Sequence, residues 1–448
     1  LRNDFTREQK KIIMDRGKVY LHTYGCRMNA CDSEIICSIL QDAGYVMVIH
    51  PDDADFVILN CCSVREDGHI AAIRKAHEIK ERNHLAKLLL CGCYAKLLRR
   101  DFFEHQNELD AIISPESYRS LPYALERLVK GESKFIVESD TDDDLYSEIR
   151  PTLNASTPNR AIVLGKGCNQ RCSYCIEPFT RGSERYVSPS TVMSNLKTLF
   201  ARDYGGIVTL VGHMVDRYHY GDVSFANILD MVAKECGRHG AWVKYLSSHP
   251  MTYSKEIVHT VCNNENIMRV VHLPVQSGSN DVLKRMCRGY TVEEYMQVVD
   301  NVRALCPDIN IVTDIMVGFC GETDEDFRKS IKLIEDFRPG DINVYAFSMR
   351  SNTRAYLTMT DDVPENVKKE RLAEARGVAE KLRHEYHSEA IGKQLSFMPG
   401  KTGIQDRQEF TDLFNRTHIL SVPQQHYMSN VMIKGVMTKE NKLITSEV

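Results

Sequence analysis

No sign of charge dominates this sequence. Its 448 residues carry 57 Lys and Arg against 61 Asp and Glu, a net charge of −4. A global basic field is therefore missing, and any affinity for nucleic acid has to come from local patches. No apolar run approaches the roughly 18 residues of a membrane span, and no charged-then-apolar leader opens the chain. The expectation is a cytoplasmic, monomeric protein with no membrane partner. Fifteen cysteines spread over this length do not form a disulfide scaffold, so metal-binding thiols are the better reading. The length predicts two to four domains with ample core.

One further absence matters more. Gly167-Cys168-Asn-Gln-Arg-Cys172-Ser-Tyr174-Cys175 sets three cysteines at a C-x3-C-x2-C spacing, just past an apolar, strand-like run at 161–164. A fourth cysteine at that spacing is missing. Three thiolates on a short loop can hold three corners of a cubane iron–sulfur cluster, leaving one iron open for a substrate or cofactor. A zinc knuckle is a weaker alternative, because zinc takes a fourth protein ligand and CxxC pairs. Unrelated buried thiols are the other.

In the first domain, 17–130, strand-like runs at 18–23, 56–59, 87–90 and 111–113 alternate with helical stretches at 33–43 and 69–81. This βαβα rhythm predicts a doubly wound parallel sheet, whose ligands gather at the carboxyl ends of strands. Cys26, Cys62 and Cys93 follow three such ends, about 30 residues apart in sequence. They are either a second three-cysteine cluster site or ordinary buried cysteines. Asp32 and Ser33, at the start of the following helix, read as an N-cap.

A polar linker at 131–158, with the acidic run Asp140, Asp142, Asp143 and Asp144, leads into a domain at 159–388. Strand-like runs at 161–164, 207–211, 242–246, 270–273, 309–315 and 342–347 alternate there with helices at 189–200, 227–236, 292–305 and 325–337. Six βα units fall short of the eight of a full barrel. A partial (β/α)6 barrel, open on one side to a macromolecular substrate, is expected. Its carboxyl-end loops carry Gly212-His213-Met-Val-Asp216, Ser247-Ser248-His249-Pro250, Pro274-Val-Gln276-Ser277-Gly278-Ser279 and Gly318-Phe-Cys320-Gly321-Glu322-Thr323. Such glycines and serines also shape turns, and His249 and His272 read equally well as structural. Lys166, Arg181 and Arg185 surround the cysteine loop and suit a carboxylate or a phosphate. A charged helix at 362–389, stopped by Gly392, precedes a small β-barrel at 389–448. The stretch 390–448 carries seven Lys and Arg against five Asp and Glu.

With Tyr174 as its aromatic residue, the cysteine loop resembles the signature of radical S-adenosylmethionine (SAM) enzymes. The longer run 167–185 resembles the methylthiotransferases, and among them the MiaB type that acts on tRNA. Thr23-Tyr-Gly-Cys26-Arg-Met-Asn29, Asn60-Cys-Cys62-Ser-Val-Arg65 and Gly92-Cys93-Tyr-Ala95 resemble the three cluster-binding motifs of that family's amino-terminal domain. The loops at 247–250, 274–279 and 318–323 match its SHP, PVQSGS and GF-x-GET patterns, and 412–417 resembles the RNA-binding TRAM domain. The resemblance covers residues 18–445.

It implies an α/β protein: a doubly wound amino-terminal domain, a radical SAM barrel and a TRAM barrel. It also implies two [4Fe–4S] clusters. Cys168, Cys172 and Cys175 would hold the catalytic one, which reduces SAM to yield a 5′-deoxyadenosyl radical. Cys26, Cys62 and Cys93 would hold an auxiliary one carrying the sulfur to be methylated, with Cys61 and Cys91 as bystanders. Tyr174, Gly212, Ser248, Gln276, Ser277 and Arg185 would bind SAM. The implied substrate is tRNA bearing N6-isopentenyladenosine beside the anticodon, methylthiolated at carbon 2, with a flavodoxin-type electron donor. Within the class, the rivals are enzymes of threonylcarbamoyl-adenosine or of a ribosomal-protein aspartate. Outside it, the rival is a non-catalytic iron–sulfur RNA-binding protein. The sequence departs from the family pattern at Glu177, His213, Cys320 and Arg350-Ser-Asn-Thr353.

Overall fold

The computed structural model describes residues 16–64, 66–98, 100–139, 145–151, 158–202, 204–399, 407–421, 432–439 and 442–445. Arg65 and the acidic run at 140–144 lie outside the described residues. The chain divides into two compact units. The first takes the described residues before position 153 together with Lys166–Asn169 and Ile176–Arg185; the second takes Gln170–Cys175 and the remaining described residues.

The first unit is built on β1 (Lys18–Tyr24), β2 (Val46–Val48), β3 (Phe56–Cys61), β4 (Lys87–Cys91), β5 (Ala111–Ile113) and β6 (Phe135–Val137). They form one sheet in the order β2-β1-β3-β4-β5-β6, parallel at every pairing. Helices α1 (Arg27–Asp42), α2 (Glu66–Arg82) and α3 (Leu121–Val129) and the short α4 (Glu177–Arg181) belong to it, with a further single turn at Phe102–His105. All six residues of β3, Phe-Val-Ile-Leu-Asn-Cys, are buried, as a strand covered on both faces requires. Side chains then alternate with period two. Ile58, Leu89, Ala111 and Ile113 join one core with α1 and α3, whereas Val57, Leu59, Leu88, Leu90 and Ile112 join the opposite core.

Two features depart from the sequence expectation. Helix α1 begins at Arg27, not near position 33, because Cys26 takes the cap position and its backbone N–H donates to Asn29 Oδ1 at 3.4 Å. Asp32 and Ser33 are therefore interior helix residues, and the N-cap reading is corrected. Strand β6 falls inside the stretch expected as linker. It pairs with β5, and beyond it Tyr146 is buried with its ring stacked 5.5 Å from that of Tyr118.

In the second unit, β7 (Asn159–Val163), β8 (Ile207–Val211) and β9 (Trp242–Tyr245) form one parallel sheet, and β10 (Val270–His272), β11 (Asn310–Val317) and β12 (Asp341–Ala346) another. A parallel bridge between Val243 and Ile267 links the two. Six parallel strands thus run in chain order, and among the described residues no pairing returns β12 to β7. This is the partial barrel expected. Helices α5 (Pro189–Phe200), α6 (Phe225–Gly237), α7 (Lys255–Asn263), α8 (Asn280–Arg285), α9 (Val292–Leu305) and α10 (Asp324–Phe337) intervene, and α11 (Glu365–Ser388) follows. Ser224, Thr291 and Thr323 start α6, α9 and α10 with reciprocal capping boxes, which satisfy otherwise orphaned N–H groups.

The chain finishes in an antiparallel sheet of β13 (Gln394–Pro399), β14 (Arg407–Asp412), β15 (Thr417–Ser421), β16 (Ile433–Met437) and β17 (Leu443–Thr445), ordered β15-β14-β13-β16-β17. Phe397, Phe410, Leu420 and Ile433 fill its core. Met398 packs instead with Ile207, Trp242 and Val270, residues at the amino-terminal ends of barrel strands. The carbonyl of Leu413 accepts from the Arg269 N–H at 2.8 Å, that of Phe414 from Asn310 Nδ2 at 2.8 Å, and Asn415 Oδ1 from Lys244 Nζ at 3.0 Å. The 412–417 segment therefore seats the small sheet on the barrel. Among the described residues no helix is long and apolar enough to cross a membrane.

Candidate active site

In the first unit, the carboxyl ends of β1, β3 and β4 deliver the three expected cysteines. The Cys26 and Cys62 thiols hydrogen-bond each other; this bond raises Cys26 above an ordinary thiol and lowers Cys62. Asn29 joins the third. Its Oδ1 accepts from Cys26 Sγ at 3.3 Å, and its Nδ2 lies 3.9 Å from Cys93 Sγ and 3.1 Å from Asn60 Oδ1. Asn60 Nδ2 in turn donates to the Asn29 carbonyl and to Ser33 Oγ, both at 2.9 Å.

Glycine is needed where backbone passes close beneath these thiols. At Gly92, φ is +90°, and a Cβ would stand 2.3 Å from Asn60 Oδ1 and 2.6 Å from the Cys61 carbonyl oxygen. At Gly25 it would stand 2.6 Å from Cys62 Cβ. Burial pushes Cys61 and Cys93 up to about 12 and Cys91 well above the ordinary thiol value.

Beside Cys93 lies a buried charge group that sequence reasoning did not anticipate. Asp32 is wholly buried on α1, and its two oxygens take Lys166 Nζ at 2.6 Å and Arg181 Nη2 at 2.5 Å. Tyr118 Oη donates to the same carboxylate at 3.4 Å. Arg181 Nε donates to Cys93 Sγ at 3.1 Å. Lys166 and Arg181, expected to meet a cofactor carboxylate or a phosphate, are instead buried against Asp32, because α1 places its carboxylate between the two flanks of the cysteine loop. The readable signal was an acid on the helix face that also carries Cys31, Ile35 and Ile36. Glu177, in the first turn of α4, acts electrostatically on Cys26, Cys62 and Cys93, opposing their ionisation. Cys168 belongs to this unit, its N–H donating to the Gly182 carbonyl at 3.1 Å.

Cys172 and Cys175 lie in the second unit, in a tight turn closed by a 3.1 Å bond from the Cys175 N–H to the Cys172 carbonyl. A second buried arginine serves this turn. Arg288 donates to Cys172 Sγ at 3.3 Å, Tyr174 Oη at 3.4 Å, the Pro274 carbonyl at 3.1 Å and Tyr290 Oη at 2.9 Å. No sequence motif had singled it out. Gly212 lies close under the neighbouring backbone, where a Cβ would meet the Gly165 carbonyl oxygen at 3.4 Å.

The loops after β8 and β9 hold polar atoms without partners. Ser248 Oγ, His249 Nε2 and Asp216 Oδ1 are buried and find no hydrogen-bond partner among the described residues. His249 Nδ1 accepts the Met251 N–H at 3.3 Å. Burial, then Arg288 and Arg217, lowers His249 to about 3. The ring is therefore neutral near pH 7, and its single proton sits on Nε2. Such orphaned groups are what a ligand-binding loop presents before its ligand.

Several residues of the carboxyl-end loops and of the cysteine loop also bond within the fold, while the Nε of Arg185 is buried without a hydrogen-bond partner among the described residues. Ser277 Oγ lies 3.3 Å from Ser330 Oγ and accepts the Ser279 N–H at 3.2 Å. Gln276, at φ +77°, pairs with Ile315 of β11 through its backbone. Arg185 donates to the Ser183 carbonyl at 2.6 Å and the Arg181 carbonyl at 2.8 Å. Glu322 accepts the Gly318 and Phe319 N–H groups, Thr323 caps α10, and burial raises Glu322 to about 7. His272 bonds Asp314 at 2.8 Å.

All fifteen cysteines are free, and among the described residues no three His, Cys, Asp or Glu side chains already stand at metal-binding spacing. The fit to iron–sulfur clusters rests on the donor set, soft thiols with N–H donors aimed at their sulfurs, which is the environment such clusters take.

Residues 162–334 match the model of the radical SAM superfamily, and residues 18–114 match that of uncharacterized protein family UPF0004. A tRNA-2-methylthio-N(6)-dimethylallyladenosine synthase of Pelodictyon phaeoclathratiforme is 38% identical, with 86% of this chain and 87% of that protein covered. The same-named protein of Prosthecochloris aestuarii is 32% identical, over 94% of this chain and 95% of its own. Among solved structures, the radical SAM methyltransferase TsrM of Kitasatospora setae superposes with a TM-score of 0.54 at 12% identity, covering 76% of this chain and 77% of its own. The cobalamin-dependent SAM radical enzyme OxsB gives 0.53 at 14% identity, covering 82% and 56%. These last two speak for the fold alone.

Proposed function

The chain belongs to the tRNA-2-methylthio-N(6)-dimethylallyladenosine synthase family, and from that premise we infer that it places a methylthio group on carbon 2 of N6-isopentenyladenosine beside the tRNA anticodon. The observation that carries the reading is the presence of two separate thiol sets in one chain: the C-x3-C-x2-C loop within the radical SAM match, and three cysteines on strand ends of the UPF0004 match. A substitution at an unactivated carbon needs one site to make the carbon reactive and another to supply sulfur, and two thiol sets answer that need.

When bound, two [4Fe–4S] clusters and SAM supply the one-electron chemistry, the methyl group and the sulfur. Cys168, Cys172 and Cys175 hold the cluster that meets SAM; Cys26, Cys62 and Cys93 hold the auxiliary one. Arg288 fixes the Cys172 sulfur and the Tyr174 ring together. Ser248, the Nε2–H of His249 and Asp216 offer SAM or the target base directed polar contacts. Burial keeps water from these groups. We further propose a flavodoxin-type electron donor, a monomeric state and, because tRNA is the proposed substrate, a cytoplasmic location.

The test is anaerobic turnover of the reconstituted enzyme on tRNA carrying isopentenyladenosine or threonylcarbamoyl-adenosine, and on the ribosomal protein, with nucleosides and peptides resolved by mass spectrometry. Methylthio product on the isopentenyl tRNA is expected. SAM cleavage with no such product would overturn the substrate, and no SAM cleavage would overturn the enzyme.

A further inference from the structure

We propose that Arg181, anchored by Asp32, is a positioning residue that donates a hydrogen bond to the Cys93 ligand of the auxiliary cluster and raises that cluster's reduction potential. The proposal rests on the reading that Cys26, Cys62 and Cys93 hold a cluster. Arg181 shows one nitrogen to each partner: Nη2 to Asp32 at 2.5 Å and Nε to Cys93 Sγ at 3.1 Å. A planar fork held at one tine cannot swing away from the other.

The anchor is itself rigid. Asp32 is wholly buried inside α1 and receives Lys166 at 2.6 Å and Tyr118 at 3.4 Å, so that both its oxygens are held. Arg181 is likewise buried at the end of α4. Adding one electron to an iron–sulfur cluster makes it more negative by one charge. A fixed guanidinium N–H on a ligand sulfur stabilises that reduced form more than the oxidised one, and hydrogen bonds to sulfur are among the levers that set such potentials. Asp32 also ties down Lys166 and Arg181, on either side of the loop from 167 to 180, so one carboxylate anchors both flanks of that loop.

The test uses the full chain carrying Cys168→Ala, Cys172→Ala and Cys175→Ala, reconstituted so that only the auxiliary site can hold iron. The potential is read by dithionite titration followed by electron paramagnetic resonance, with Arg181→Gln and Arg181→Lys added in turn. Arg181→Gln leaves the Asp32–Lys166 pair intact, so folding should survive. At a fixed solution potential the reduced fraction relative to oxidised should fall at least tenfold in Arg181→Gln, a shift of about 59 mV for one electron. Arg181→Lys, with a single nitrogen for two partners, should fall between this and the parent. An unchanged potential in either folded variant overturns the proposal. A triple-alanine parent that binds no iron overturns the auxiliary-site reading itself, and so fails in a different place.

Discussion

Replacing Asp412 by alanine should unseat the carboxy-terminal sheet while leaving all of its Lys and Arg residues in place. The carboxylate is wholly buried. Its Oδ1 accepts the N–H groups of Phe414 at 3.0 Å and Arg416 at 2.9 Å; its Oδ2 accepts Arg416 Nε at 2.6 Å and His418 Nε2 at 3.2 Å. The Arg416 guanidinium lies over the rings of Tyr386 and Phe414, 5.2 and 5.0 Å away, and is itself buried. Removing Asp412 strands that cation in an apolar setting, at a cost of about 3–5 kcal/mol. At 1.4 kcal/mol per tenfold, hydrogen exchange along the β13–β14 ladder should then accelerate by a factor of about 10² to 4 × 10³.

Burial works against ionisation of Asp412, but the bonds from His418 and Arg416 outweigh it and hold the carboxyl below its ordinary 3.8. A depressed carboxylate contributes stability above its unfolded value and loses it as pH falls through the folded one. The gap between wild type and Asp412→Ala should therefore close below about pH 3.8. An acceleration under tenfold would refute the reasoning. So would Arg416→Ala weakening tRNA binding with a salt slope smaller by about one and unchanged exchange, because Arg416 would then be a phosphate contact.

Arg288→Gln removes donors from Cys172, Tyr174 and Pro274, and SAM cleavage should fall about 10- to 100-fold, as losses next to metal ligands do; 5′-deoxyadenosine yield per iron is the measurement. Gly92→Ala forces a Cβ to 2.3 Å from Asn60 Oδ1 at a φ of +90°, so iron per chain should drop to the amount the 168/172/175 loop alone retains. For Glu322, whose folded pKa of about 7 exceeds its ordinary 4.5, the stabilising contribution is complete below 4.5 and lost as pH rises through 7. Wild type should lose about 3 kcal/mol relative to Glu322→Gln between those values, at 1.36 kcal/mol per unit; denaturant titration at the two pH values checks it.

The sequence by itself determined the cysteine loop at 168–175, the six barrel strands and the doubly wound sheet, because each follows from short-range spacing: three thiols in eight residues, or apolar runs with the period of a strand. It also placed Cys26, Cys62 and Cys93 at strand ends, since a parallel sheet brings such ends together whatever lies between them. The edge strand β6 escaped because three residues are too few to stand out from a polar stretch. Only the tertiary structure decided what the charges do. Asp32 read as a cap, Lys166 and Arg181 as cations for a cofactor carboxylate or a phosphate, and Arg416 as part of an RNA-binding segment, because the sequence neighbours of a charge do not reveal its partner. Asp32 meets Lys166 and Arg181 across 134 and 149 residues, and Arg288 meets Cys172 across 116. Pairing over such separations is set by packing, which brings distant segments within hydrogen-bond reach and removes the water that would otherwise have been each charge's partner.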